Sequence, residues 1–103
     1  MNHKHLIPIA TLCKHYKVKT AFLAGLNEYG LIEITTVKQS DCIHEDYLPN
    51  LEKMIRFHQD LHLNLEGIDT VFNLLERIED LQSELHSVKN RLRIYEEQIK
   101  QKS

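Results

Sequence analysis

Tryptophan is absent from this chain, and glycine (3), proline (2) and cysteine (2) are scarce. Few chain-breaking residues exclude a fold of many tight turns and point to a helix-rich one. The two cysteines, Cys13 and Cys42, lie far apart, so no metal-binding or redox pair is encoded. They read as small buried thiols of a reduced, cytoplasmic protein. The first residues lack the apolar run of an export signal. No segment approaches the about 18 consecutive apolar residues of a membrane span. Charge of one sign is also lacking, since the net charge is −2 at pH 7. That balance gives no global attraction to DNA or anionic lipid. Seven histidines add positive charge only near about pH 6.

What is present fits one small soluble domain with an extension: 103 residues, 42% hydrophobic and 27% charged. Leu6, Ile7 and Ile9 form an extended lead, with Pro8 holding Ile7 out of the helical region. Ile9, Leu12, Cys13 and Tyr16 recur at helical spacing with Lys14, His15 and Lys17 facing out. Thr20 then serves as the N-cap of a second helix, which buries Phe22, Leu23, Leu26 and Tyr29 and ends at Gly30. Two short helices around a tight turn make a helix-turn-helix. Ile32, Ile34 and Thr36, then Cys42 and Ile43, flank the polar segment Lys38–Asp41 and predict a short β-hairpin, or wing. A third helix starts near Asp46, read as its N-cap, with Pro49 in the first turn. Its apolar stripe is Leu48, Leu51, Met54, Ile55, His58 and Leu61. Asn64 caps a fourth helix, whose start is favoured by Glu66 and Asp69.

That fourth helix carries the strongest pattern. With Val71 as a, the a series is Val71, Ile78, Leu85, Leu92 and Ile99, and the d series is Leu74, Leu81, Val88 and Tyr95. All are apolar or aromatic, and no Gly or Pro intervenes, so the segment predicts a coiled-coil seam. Such a seam needs another helix, and homodimerisation is the economical source. Parallel pairing joins Glu84 with Lys89 and Arg91 with Glu96 of the second copy, and antiparallel pairing also brings opposite charges together. Orientation stays open. The expected organisation is a winged domain over 1–64 and a dimerisation helix over 65–103.

Catalytic signatures are lacking: no phosphate-binding glycine loop, no H-E-x-x-H and no nucleophile elbow. His58 and His62 are four apart on a helix, but no third ligand has a defined spacing, and His3 and His5 sit in a floppy terminus. No enzyme activity, metal or cofactor is expected. DNA binding is the serious rival, because helix-turn-helix, wing and dimerising helix are the parts of a transcription factor. Yet the helix in the reading position, Thr20–Tyr29, has no basic residue and one acid, Glu28. Lys14, Lys17, Lys19 and Lys38 make only a weak patch.

Three segments carry a family resemblance: Ile9-Ala10-Thr11-Leu12-Cys13, Leu26-Asn27-Glu28-Tyr29-Gly30-Leu31-Ile32 and Ile43-His44-Glu45-Asp46-Tyr47-Leu48. Their order resembles that of the MerR-type helix-turn-helix superfamily. Arg56-Phe57-His58-Gln59-Asp60-Leu61, followed by Leu65-Glu66-Gly67-Ile68, narrows the likeness to the short chaperone modulators of the CbpM family. The resemblance covers about residues 6 to 95. It implies a mainly α, MerR-like winged helix-turn-helix domain with a long C-terminal coiled-coil helix. It also implies binding to the J-domain of a nucleoid-associated, DnaJ/CbpA-like co-chaperone, whose chaperone-stimulating and DNA-associated activities are inhibited. J-domains present a basic helix, so acids on the third helix and the start of the fourth suit it. Glu52, Arg56, Asp60 and Glu66 are the expected contacts, although any one of these acids also reads as part of a solvated face. The alternatives are a small MerR-type transcriptional regulator, or a bare dimerisation adaptor.

Overall fold

The computed structural model describes residues 5–102. His3, one of the two terminal histidines considered above, lies outside the described residues. The order is β1 (Leu6–Pro8), α1 (Ile9–Tyr16), α2 (Thr20–Glu28), β2 (Ile34–Val37), β3 (Ser40–His44), a 3-10 turn (Glu45–Tyr47), α3 (Leu48–Leu61) and α4 (Leu65–Lys102). The expected mainly helical, winged helix-turn-helix fold is present. The chain divides after Thr70 into two compact units, so residues 65–70 of α4 belong with the winged domain.

The wing is larger than a hairpin. β1 and β2 both pair antiparallel with β3, giving a sheet of order β1-β3-β2 with Ile7 opposite Ile43 and Ile34 opposite Ile43. The lead that sequence periodicity reads as merely extended is therefore an edge strand, where Pro8 removes no needed donor. This pairing also corrects the expected floppiness at His5. Its carbonyl accepts from the Glu45 N–H (2.8 Å), and its Nδ1 donates to Glu45 Oε1 (2.8 Å). The β2–β3 turn is Lys38-Gln39, both at positive φ (50° and 66°). A two-residue turn of this kind matches the right-handed twist of the strands, but side-chain-bearing residues are strained there.

Caps fix the helix ends. Gly30 (φ 75°) follows α2 in the left-handed region, and the Leu31 and Gly30 N–H groups donate to the Leu26 and Asn27 carbonyls, both at 3.0 Å. This is the paired hydrogen bonding of a glycine-terminated helix. Asn64 caps α4 as expected, with Oδ1 accepting from the Gly67 N–H at 2.8 Å. Two other expected caps are not formed. Lys19, not Thr20, precedes α2 in extended conformation, without a side-chain cap. Asp46 lies inside the 3-10 turn, where its N–H donates to His44 Nδ1 at 3.1 Å. His44 thus caps the 3-10 turn, while Tyr47 takes the cap position of α3 without a side-chain hydrogen bond.

The core of the first unit draws on α1, α2, Ile32 before β2, β3, α3 and the first turn of α4. Leu23, Leu26, Ile43, Leu51, Met54 and Ile68 are its largest fully buried side chains, and among the described residues no polar or charged one is buried with them. Tyr29 and Leu61, expected inside, are exposed (40% and 61%) because each falls at or beyond the last turn of its helix. Cys42 is buried, Cys13 only half-buried, and both thiols are free. Gly25 is buried in α2, and a Cβ there would clash with Leu65 Cδ1, so the missing side chain lets the start of α4 seat on α2.

Two substitutions read this out by urea denaturation at fixed protein concentration. Asn64→Ala lowers stability by about 1 kcal/mol through loss of the cap. Gln39→Gly raises it by about 0.5–1 kcal/mol by relieving the positive φ.

Candidate protein-binding surface

The helix-turn-helix places α2 where a DNA-reading helix would lie. Its exposed residues are Thr20, Ala21, Ala24, Asn27 and Glu28, and none is cationic. Asn27 is the residue type best suited to read a base edge. Its Oδ1, however, accepts from the Ile34 N–H at 3.0 Å and ties α2 to the start of the wing. The side chain that resembles a reader is a structural clasp. Lys17 and Lys19 stand beside this helix, in the turn before it, and Lys38 occupies the wing tip.

On α3, the spacing of Glu52, Arg56 and Asp60 at successive fourth positions puts them on one helical face, and all three are exposed. Arg56 makes no ion pair among the described residues. Glu66 does not share this stripe. It lies in the first turn of α4, beside a groove that also reaches His58 and Gln59 at the end of α3.

One feature of the stripe was not legible in the sequence. The Tyr16 hydroxyl donates to Glu52 Oε1 at 2.8 Å, and Gln59 Nε2 donates to the Tyr16 carbonyl at 3.1 Å. The end of α1 is thereby fastened to the acidic face of α3. Partial burial, the hydrogen bond and the charge of Glu52 together raise the Tyr16 pKa above its ordinary value. The imidazoles serve the scaffold as well: His58 Nδ1 donates to the Leu63 carbonyl at 2.9 Å, and its ring stacks on Phe22 with centroids 4.4 Å apart. His62 is the left-handed residue that ends α3, so His58 and His62 do not form one helical pair. Among the described residues, no three His, Cys, Asp or Glu side chains gather closely enough to hold a metal ion.

In α4, the expected seam residues from Leu74 to Ile99 stay 45–63% exposed, while Val71 is half-buried. Among the described residues, no helix is long and apolar enough to cross a membrane.

The model of the MerR HTH family regulatory proteins matches residues 7–90, from β1 well into α4. This chain belongs to the MerR helix-turn-helix family. Its relatives include the chaperone modulatory protein CbpM of Pseudomonas entomophila, 29% identical over 84% of this chain and 86% of that protein. CbpM proteins from two strains of Pseudomonas putida are 29% and 26% identical over the same shares. These relatives are named as modulators, and the family as regulatory proteins; neither name is that of an enzyme. No solved structure is a significant match.

The Tyr16–Glu52 clasp has a pH signature. A folded pKa raised above 10 leaves its stabilisation fully present below pH 10 and removes it as pH rises through the folded value. Stability measured from pH 8 to 11 therefore falls in the native protein, and Tyr16→Phe flattens that fall.

Proposed function

We propose that this chain is a chaperone modulator that binds the J-domain of a nucleoid-associated DnaJ-like co-chaperone and inhibits it. One combination carries the reading. A MerR-type helix in the DNA-reading position has no cation on its exposed face, in a chain whose relatives are named chaperone modulatory proteins. DNA affinity comes mainly from Lys and Arg set against phosphates. A scaffold that keeps the geometry of a DNA binder without those charges suits a protein partner better. The exposed Glu52 and Asp60, with Glu66 nearby on α4, offer negative potential to the basic helix of a J-domain, which aids rate and specificity of association.

The same proposal includes a homodimer formed through α4. Nine seam residues at heptad spacing gain nothing in a lone helix, whereas pairing buries them. Charge favours the antiparallel arrangement. Residues 71–84 carry four acids and one arginine (net −3), and residues 85–101 carry four cations and two acids (net +2). Parallel pairing keeps the Glu84–Lys89 and Arg91–Glu96 contacts but lays the acidic segment on its own copy, whereas antiparallel pairing lays it against the basic one. Packing Leu85 opposite Val88 of the second copy brings Ile78 opposite Tyr95, Leu81 opposite Leu92, and Glu84 beside Arg91.

Two experiments test these statements. An immobilised J-domain retains the protein, and added protein suppresses the co-chaperone's stimulation of its ATPase partner. Glu52→Lys and Asp60→Lys each weaken that binding by about tenfold, which is 1.4 kcal/mol. A J-domain that retains nothing sinks the reading. Sedimentation equilibrium gives a dimer for the native chain and a monomer for Leu85→Glu. A native monomer removes the second copy.

A further inference from the structure

A groove of about 640 Å³ opens between the α1–α2 turn, the end of α3 and the first turn of α4, all within the first unit. Val18, Ala21, Phe22 and Leu65 give it an apolar lining. Three of the polar side chains along it are engaged inside the protein, while the exposed Tyr29 also lines it. Gln59 Nε2 donates to Tyr16, Asn64 Oδ1 caps α4, and His58 Nδ1 holds the Leu63 carbonyl. A small polar ligand therefore finds few free partners, whereas an apolar side chain meets a pre-formed pocket of ordinary ligand size.

The charges at the rim do point outward in their bonding needs. Lys17 and Lys19 are exposed on the α1–α2 side, Glu66 on the α4 side, and none pairs with another charge among the described residues. Two cations on one wall against one anion on the other make the groove directional and, on balance, attractive to acids.

We infer that this groove docks a protein segment carrying a leucine-like anchor next to carboxylates, with the carboxylates toward Lys17 and Lys19. Apolar burial supplies the affinity, and the rim charges supply orientation. A nucleic-acid phosphate fits less well, because it would use the two lysines and leave the apolar lining wet. The groove shares Glu66 with the proposed co-chaperone surface but none of Glu52, Arg56 and Asp60, and its occupant is inferred without that reading.

The test is a titration of the full chain, followed by nitrogen–proton correlation spectra, with three blocked tetrapeptides. One has two aspartates followed by two leucines; the others replace the aspartates with lysines or the leucines with alanines. The acidic leucine peptide shifts the amides of Lys17, Lys19, Ala21, Phe22 and Leu65, and binds about tenfold more tightly than either control. Ala21→Arg, at an exposed position on the groove wall, abolishes these shifts. The Lys17→Glu/Lys19→Glu double variant prefers the lysine peptide instead. The proposal is overturned if the acidic leucine peptide leaves these amides unmoved in the native protein, or if preference fails to invert in the double variant. It is also overturned if inorganic phosphate or a DNA duplex moves the same amides as strongly. Because the peptides contain no J-domain, failure here is distinct from failure of the co-chaperone reading.

Discussion

Leu65 sits on the backbone of α2 at Gly25, and from that contact the arrangement of the first unit follows. With no side chain at position 25, the Leu65 side chain packs directly against α2, and one turn on Ile68 is fully buried. The Asn64 cap fixes where α4 begins, and the His58 hydrogen bond to Leu63 fixes the connector that delivers it. The same seating makes the wall of the groove beside Phe22. Enlarging residue 25 would force the end of the Leu65 side chain to move, reshaping the groove wall. Helix-turn-helix, α3 and the start of α4 thus act as one packed body without a buried polar group to specify it. Its uniqueness rests on shape, on helix caps and on clasps at the edges.

Those clasps change how the surface is read. In a DNA-reading helix, polar side chains wait for bases and cations lie against phosphates. Here Asn27 is committed to the wing, Tyr16 and Gln59 are committed to the α1–α3 junction, and the exposed face of α2 carries one acid, Glu28, and no cation. The family architecture is kept while the exposed face of α2 carries no cation, the lysines lying only in the turn before it and at the wing tip. That contrast supports a protein partner, and the acids of α3 and the mixed charges of the groove give such a partner two different surfaces to meet.

The sequence disclosed whatever depends on local pattern. Four helices, the wing, the Asn64 cap, the Gly30 helix end and the uninterrupted α4 followed from spacing and from single special residues. Cap identity failed where the helix start shifted by one residue: Lys19 takes the cap position of α2, and Tyr47, after a 3-10 turn that holds Asp46, takes that of α3. Periodicity also overreached at helix ends, where Tyr29 and Leu61 continue the apolar stripe after the surrounding core has run out. Pairing of β1 with β3 joins residues far apart in the chain, and no local signal announces it. The same holds for the Tyr16–Glu52 bond and for the groove, both made only by folding. Of the four expected contact residues, Glu52, Arg56 and Asp60 lie exposed on α3 and Glu66 in the first turn of α4, the elements on which the sequence places them.

The central claim is that this MerR-type scaffold meets protein through surfaces from which DNA contacts have been removed. Fluorescence anisotropy of a labelled DNA duplex, titrated with the protein at several salt concentrations, tests it most directly. The account predicts no saturable binding tighter than about 10⁻⁴ M at physiological salt, the weak end of non-specific association. Tight binding with a log–log salt slope equivalent to about six phosphate contacts would contradict it.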